Sequence, residues 1–273
     1  MTKEPENLVD QARWNQYGLD RTREIESNPQ KYLIADSPIG HSAAYDEVME
    51  LLNPIKGKRI LELGCGRGEL SVWLAKHGAR VTAIDLGPDL VAAARALARV
   101  NAVDCEFRVG NIANLPFDAA TFDVVVGFHI LHHLTEADVI KTVRECHRVL
   151  DAGGIVIFEE PVENSALFDF VQNLFPAGKR GSHYYRPSIL RRKAWSRYVE
   201  ALDDRTMTSR EFVAAGAGLF RSTRLSPYGF LIRLTRVIGD KHRGSLLKLD
   251  RSLFKVFPPL TRYSQTVLVE YQK

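Results

Sequence analysis

Between residues 55 and 161 the chain switches repeatedly between short apolar runs and longer amphipathic ones, and this alternation limits the possible folds more than any other feature. "GKRILELG" is a β-branched and leucine run bounded by glycines, and "RGELSVWLAKHG" behind it carries Leu70, Trp73 and Leu74 at helical spacing. "ARVTAIDLG" reads as a second strand, "PDLVAAARALARV" as a helix opened by Pro88, and "CEFRVGNI" as a third strand. "FDVVVGFHILHHL" gives a fully apolar strand, "TEADVIKTVRECHRVL" a helix capped by Thr135, and "GGIVIFEEP" a fifth strand. Strand and helix in strict turn imply a mostly parallel, doubly wound α/β sheet with right-handed crossovers and helices on both faces.

After Pro161 the rhythm stops. Residues 163–206 fit neither a strand nor a standard crossover and are read as an inserted lid. "MTSREFVAAGAGLF" is a helix capped by Ser209 or Thr208, "RSTRLSPYG" a strand, and "SQTVLVEYQK" a closing strand. The expected organisation is an N-terminal helical cap (1–54), a ligand-binding core (55–162), the lid (163–206), a core helix and strand (207–228), a basic amphipathic insert (229–262) and a final core strand (263–273).

Charge separates these parts. From Pro176 to Arg262 there are 19 Lys and Arg against 6 Asp and Glu, a balance of +13 that leaves −9 for the remainder of a chain whose total is +4. The insert "GFLIRLTRVIGDKHRGSLLKLDRSLFKVFPPL" interleaves Leu, Ile and Phe with Arg and Lys, the pattern of a membrane-surface helix or of a lid helix packed on the sheet. Cys65, Cys105 and Cys146 lie far apart with no CxxC pair, so neither a disulfide framework nor a zinc cluster is expected. No window approaches eighteen uninterrupted apolar residues and the first residues are polar, which sets the expectation of a cytoplasmic protein.

The glycines of "ILELGCGRGEL" stand at the first strand-to-helix turn, on the sheet edge where such folds bind ligands because helix N-terminal amides converge there. Gly64, Gly66 and Gly68 form GxGxG, with Glu69 where the dinucleotide fingerprint would place its third glycine, which argues against an NAD-dependent dehydrogenase. Asp85 ends the next strand, where a carboxylate accepts hydrogen bonds from both hydroxyls of a ribose. The ends of the third strand, at "VGNIANLPF", and of the fourth complete a single crevice.

The ordered set Glu62-Leu63-Gly64-Cys65-Gly66-Arg67-Gly68, Asp85, "GNIANLPF", "LHHL" and "RVLDAGG" resembles the motifs of class I S-adenosylmethionine-dependent methyltransferases, in particular the small-molecule and lipid subgroup with the ubiquinone and menaquinone enzymes. The resemblance covers about residues 55 to 160 and the final strand, and it implies a seven-stranded Rossmann-like sheet with helical lid insertions. It implies S-adenosylmethionine as cofactor and S-adenosylhomocysteine as product. Glu62 would orient the loop and the methionine ammonium, Gly64, Cys65 and Gly66 would offer backbone to the methionine part, and Asp85 would hold the ribose. Leu86 would pack on the adenine, and Ile112 and Phe128 would line the same pocket. Two departures stand out: Asn111 where the family commonly has Asp near the adenine amino group, and Ala152 where a Pro-Gly-Gly turn is usual. In the relatives N-terminal helices close over the cofactor, which assigns that part here to the segment carrying Trp14, Tyr17 and Tyr32.

Alignment of the two reactants supplies much of the rate in methyl transfer, so a dedicated base is optional. For a phenol or alcohol acceptor a base helps, and the candidates are His129, Glu159, Glu160 and, from the lid, His183 with Tyr184 and Tyr185. His129, His132 and His133 are spaced like metal ligands, but no third ligand of convincing spacing joins them, and no metal is expected. The expected activity is methyl transfer to a small hydrophobic or lipid-like acceptor, with peripheral membrane contact through 229–262. A nucleic-acid methyltransferase is the weaker alternative, since "RRKAWSRY" is the only short run mixing cations and aromatics. A catalytically silent S-adenosylmethionine-binding protein shares every one of these motifs.

Overall fold

The computed structural model describes residues 7–34, 44–163, 166–176, 186–200, 207–239 and 242–273. Its elements, in chain order, are α1 (Asn7–Ser27), α2 (Ala44–Leu52), β1 (Arg59–Leu63), α3 (Glu69–Lys76), β2 (Arg80–Asp85), α4 (Pro88–Val100), β3 (Cys105–Val109), β4 (Phe122–Phe128), α5 (Glu136–Val149) and β5 (Leu150–Pro161). They continue with α6 (Ala166–Asn173), α7 (Arg192–Glu200), α8 (Ser209–Gly216), β6 (Ser222–Tyr228), α9 (Thr235–Ile238), α10 (Arg243–Val256) and β7 (Thr266–Gln272).

The strands form one seven-stranded sheet in the order β3-β2-β1-β4-β5-β7-β6. The first five are mutually parallel, while β7 runs antiparallel to both β5 and β6. The last strand thus enters between its two predecessors, an order that no local sequence pattern encodes. Successive side chains of a strand point to opposite faces, and both faces are covered here. Ile60, Val124, Val126, Ile157 and Leu268 pack beneath α3, α4 and α2 on one face. Leu61, Leu63, Val125, Val156, Phe158 and Val269 pack beneath α5 and α8 on the other. The apolar runs seen in the sequence are the result.

The helices end where their sequences say they should. Thr135 caps α5 by accepting from the Asp138 amide, and Thr208, rather than Ser209, closes a capping box with Glu211 at the start of α8. The fourth apolar run breaks earlier than expected. β4 stops at Phe128, His129 takes a left-handed conformation (φ 54°), and Leu131–His133 form a 3₁₀ turn. Glu159 and Glu160 lie within β5, near its end.

The N-terminal segment packs on the face carrying α4. Asn101, at the end of α4, accepts from the Ile34 amide at 2.7 Å and donates to the Tyr32 carbonyl at 3.0 Å. Closer to the sheet edge α1 crosses the first turn of α4 at Gly18, where an added Cβ would sit 2.4 Å from the Asp89 carbonyl carbon. That neighbour is backbone and has no rotamer to give. Gly18→Ala should therefore cost about 2 kcal/mol of stability through overpacking, against the gain of about 1 kcal/mol that the same change gives in an uncrowded helix. Urea unfolding checks this, and an unchanged or higher midpoint would mean that α1 does not press on α4.

Candidate active site

The carboxyl edge of the sheet gathers the turn after β1, the end of β2, the turn after β3 and the end of β4 around a cavity of about 320 Å³. That volume suits a small-molecule ligand. Gly64, Gly66 and Gly68 all have positive φ (64°, 50° and 82°). An added Cβ on Gly64 would meet the Ile130 side chain at 2.5 Å, whereas one on Gly66 would meet no protein atom within 4 Å. Gly66 therefore presents bare backbone to open space on the cavity wall, where a ligand can approach the chain directly.

Asp85 holds this loop together. Its Oδ2 accepts the Gly66 amide and its Oδ1 the Gly87 amide, each at 2.8 Å. Burial pushes its carboxyl up, and the Gly87 and Gly66 amides oppose the shift. Two oxygens carry roughly four acceptor sites, so two N–H donors leave capacity for two ribose hydroxyls. Beside it Leu86 stands half exposed on the cavity wall, an apolar surface suited to a flat base, and the buried Ile112 forms the opposite part of that wall. These residues fit the nucleoside part of S-adenosylmethionine.

The other expected contacts are distributed differently. Glu62 does not reach the cavity wall. It is buried, it accepts from Ser71 Oγ inside α3, and burial raises its carboxyl to about 8. The Cys65 side chain sits in the core, where burial pushes the thiol up, and the cavity wall is formed by its neighbours Gly64 and Gly66. Phe128 packs partly buried against the core and does not line the cavity. Asn111 does line it, but its Oδ1 already accepts the Ala113 amide at 2.8 Å in an Asx-type turn.

The adjacent glutamates of β5 go to opposite faces, as strand alternation requires. Glu160, fully buried, receives the Ile130 and Leu131 amides on Oε1 at 2.8 and 2.7 Å and His132 Nδ1 on Oε2 at 2.7 Å. That carboxylate shapes the turn after β4 and is sealed from solvent. Glu159 is 2% exposed on the other face, accepts the Tyr228 hydroxyl, and has Oε1 3.8 Å from His129 Nε2. Both candidate bases are thus internal carboxylates, and neither is on the cavity wall.

His129 is on that wall, its side chain 54% exposed. His132 is held by Glu160, and His133 lies between it and Trp14, with ring centroids 4.1 and 6.2 Å away. Among the described residues no three His, Cys, Asp or Glu side chains are placed to hold a metal ion. His183, Tyr184 and Tyr185 lie outside the described residues.

Trp14 of α1 also lines the cavity, so the N-terminal helix supplies part of its wall. α1 is tied to the glycine turn by Arg67, which donates to the Tyr17 hydroxyl at 2.6 Å, lies over its ring at 5.0 Å and pairs with Glu69 at 2.9 Å. Ile130, Leu134 and Thr135 complete the wall beyond β4. Sequence reasoning saw Thr135 only as a helix cap. Its second position, at the crevice, follows from the short 3₁₀ turn that no periodicity signals.

A model of the methyltransferase domain family matches residues 61–158. The ubiquinone biosynthesis O-methyltransferase of Xanthomonas oryzae pv. oryzae is 34% identical over 182 residues, which span 63% of this chain and 72% of that protein. The enzyme of the same name from Coxiella burnetii is 29% identical over 174 residues, 57% of this chain and 74% of that one. Among solved structures, magnesium protoporphyrin IX methyltransferase from Synechocystis PCC 6803 with bound S-adenosylhomocysteine superposes with a TM-score of 0.58 at 15% identity, covering 98% of this chain and 100% of the other. An S-adenosylmethionine-dependent methyltransferase from Mesorhizobium loti gives 0.54 at 20% identity over 85% and 98%. At these identities the structures speak for the fold, and the curated relatives and the domain match speak for the cofactor and the chemistry. Glycine turn, strand-end aspartate, sheet order and relatives agree: the chain belongs to the class I S-adenosylmethionine-dependent methyltransferases and is an enzyme akin to the ubiquinone methyltransferases.

Proposed function

We propose that this methyltransferase modifies a hydroxyl group on a small apolar acceptor of phenolic type, with His129 taking up the hydroxyl proton. The observation that carries the reading is the position of His129: a left-handed residue at the end of β4 with its ring on the wall of the crevice and a buried carboxylate behind it. When bound, S-adenosylmethionine supplies a methyl group on a positively charged sulfur. In the proposed assignment Asp85 holds the ribose, the Gly64 and Gly66 backbone receives the methionine part, and Leu86 and Ile112 enclose the adenine. Asn111 keeps one acceptor site on its oxygen beside the Ala113 amide and can also offer its amide N–H to a ring nitrogen of the base. Glu62 acts from inside the fold through Ser71, fixing the turn.

Bound there, the cofactor would give up its methyl group to the acceptor oxygen and keep the electron pair of that bond on sulfur, and the part of this chain is to align the two reactants and take the hydroxyl proton on His129. A base so placed contributes about 10² to 10⁴ in rate, with alignment supplying the rest.

The apolar character of the acceptor is supported by the surface of the two inserts. Phe170, Val171, Phe175 and Leu190 are exposed in the lid, and Leu234, Ile238, Leu249, Val256 and Phe257 in the basic insert. Lys248, Arg251 and Lys255 lie among the latter, and each cation near an anionic surface adds about 1 kcal/mol of attraction. We assign to 229–262 a peripheral membrane contact on the cytoplasmic side. Among the described residues no helix is long and apolar enough to cross a membrane. The names of the curated relatives, ubiquinone O-methyltransferases, point to the same acceptor class.

The test is methyl-labelled S-adenosylmethionine with a panel of catechols and phenols bearing alkyl tails of increasing length. Methyl ether products with KM falling as the tail lengthens are expected. Label on ring carbon would refute O-methylation, and equal KM across tail lengths would refute an apolar acceptor site.

A further inference from the structure

We infer that Glu159 and Tyr228 are positioning residues which together decide which imidazole nitrogen of His129 carries its proton. The inference rests on the reading of His129 as the base, and it assigns a part in the reaction to Tyr228, a residue that neither the sequence motifs nor the cofactor crevice includes.

The arrangement follows from the sheet order. β7 lies between β5 and β6, pairing Leu268 with Glu159 on one side and with Ser226 on the other, and Thr266 with both Pro161 and Tyr228. Tyr228 and Glu159 therefore stand two strands apart and two residues out of step, on the same face as Leu268. A tyrosine is long enough to cross such a gap, and its hydroxyl donates to Glu159 Oε1. The same oxygen lies 3.8 Å from His129 Nε2. One carboxylate oxygen thus joins a phenol from the edge strand to a histidine at the centre of the sheet.

Burial gives this geometry its consequence. Glu159 is 2% exposed and Tyr228 7%, so a carboxylate there depends on protein donors to remain in place. The phenol supplies one from a side chain anchored in the core cluster. The carboxylate so held faces Nε2, and the favourable arrangement places the imidazole proton on Nε2, leaving the Nδ1 lone pair to take the acceptor's proton. The 3.8 Å separation exceeds a hydrogen bond, and at that distance the carboxylate acts on Nε2 as a nearby charge. The backbone adds a second constraint, since the His129 amide donates to the Glu159 carbonyl at 2.8 Å and keeps the two residues in register. Glu160 cannot substitute, because its oxygens are committed to Ile130, Leu131 and His132 on the opposite face.

The experiment is nitrogen NMR of protein labelled with ¹⁵N in the histidine rings, saturated with S-adenosylhomocysteine, with the His129 signals assigned by their loss in His129→Ala. The wild type should show a single neutral tautomer protonated on Nε2. Tyr228→Phe and Glu159→Gln should both move the two His129 nitrogens towards the averaged shifts of a tautomer mixture, while the His132 signals stay put and S-adenosylhomocysteine affinity changes less than about twofold. A tyrosine that only fills space would alter unfolding temperature and leave the tautomer alone. An Nδ1-protonated His129 in the wild type, or unchanged shifts in both variants, overturns the inference. Should Tyr228→Phe fail to fold, Glu159→Gln decides alone.

Turnover of an alkylated catechol separates this from failure of the base assignment. Tyr228→Phe is expected to lower kcat about tenfold with KM unchanged, and to have little further effect once His129 is Ala. If His129→Ala leaves kcat intact the base reading falls and the positioning role with it, whereas an intact tautomer in Tyr228→Phe removes the positioning role alone.

Discussion

Asp85→Ala should weaken binding of S-adenosylhomocysteine about 100-fold, a loss of about 2.7 kcal/mol. Two hydrogen bonds from ribose hydroxyls to an ionised acceptor account for that much, at about 1.5 kcal/mol or more each. The alanine variant also releases the Gly66 and Gly87 amides, which Asp85 now holds at 2.8 Å, so the glycine turn proposed to receive the methionine part loosens as well. Asp85→Asn keeps one acceptor oxygen and should fall between, about tenfold weaker. Isothermal titration with S-adenosylhomocysteine checks both, with unfolding temperatures recorded alongside. Unchanged affinity in the alanine variant would mean that the ribose is seated elsewhere.

The ligand-free protein should lose stability as pH rises from about 5 to about 8, and Glu62 should be the residue responsible for much of that loss. Its side chain is 5% exposed, and burial raises its carboxyl from 4.5 to about 8 in the folded state. The folded chain therefore keeps this proton where the unfolded chain has released it. The contribution is fully present below 4.5 and is withdrawn as pH climbs through the folded value, at up to about 1.4 kcal/mol per pH unit. Glu62→Gln keeps the shape and a partner for Ser71 without the titration. Urea unfolding at pH 5, 6.5 and 8 should show the variant gaining on the wild type at each step. A difference independent of pH would show that Glu62 is ionised in the folded protein throughout.

The parts of the site that were legible in the sequence are those governed by short-range rules. Gly64, Gly66 and Asp85 were visible because a strand-to-helix turn and a strand end are local events, and the parallel sheet follows from alternation alone. Thr135 and Thr208 declare their helices by side-chain chemistry. What the sequence withheld depends on long-range order. Strand alternation separates Glu159 from Glu160, but the donors each one meets come from residues 28 to 69 positions away. Tyr228 reaches Glu159 only because β7 inserts between β5 and β6, and nothing in "STRLSPY" announces that neighbour. The motif position of Glu62 implies that it orients both the loop and the methionine ammonium, and the pleat turns its side chain into the protein, towards Ser71. The resemblance puts Asn111 near the adenine by its motif position, and the turn it caps takes one of its acceptor sites.

The central claim, methyl transfer to an apolar acceptor, is tested most directly without choosing that acceptor in advance. The purified enzyme is given methyl-labelled S-adenosylmethionine and a fractionated cell extract, and label is then located among organic-soluble, aqueous small-molecule, nucleic-acid and protein pools. Label concentrated in the organic-soluble pool, and entering it about 100-fold or more slowly in His129→Ala, is the predicted result. Label in nucleic acid, or in no pool while S-adenosylhomocysteine still binds, would contradict the account.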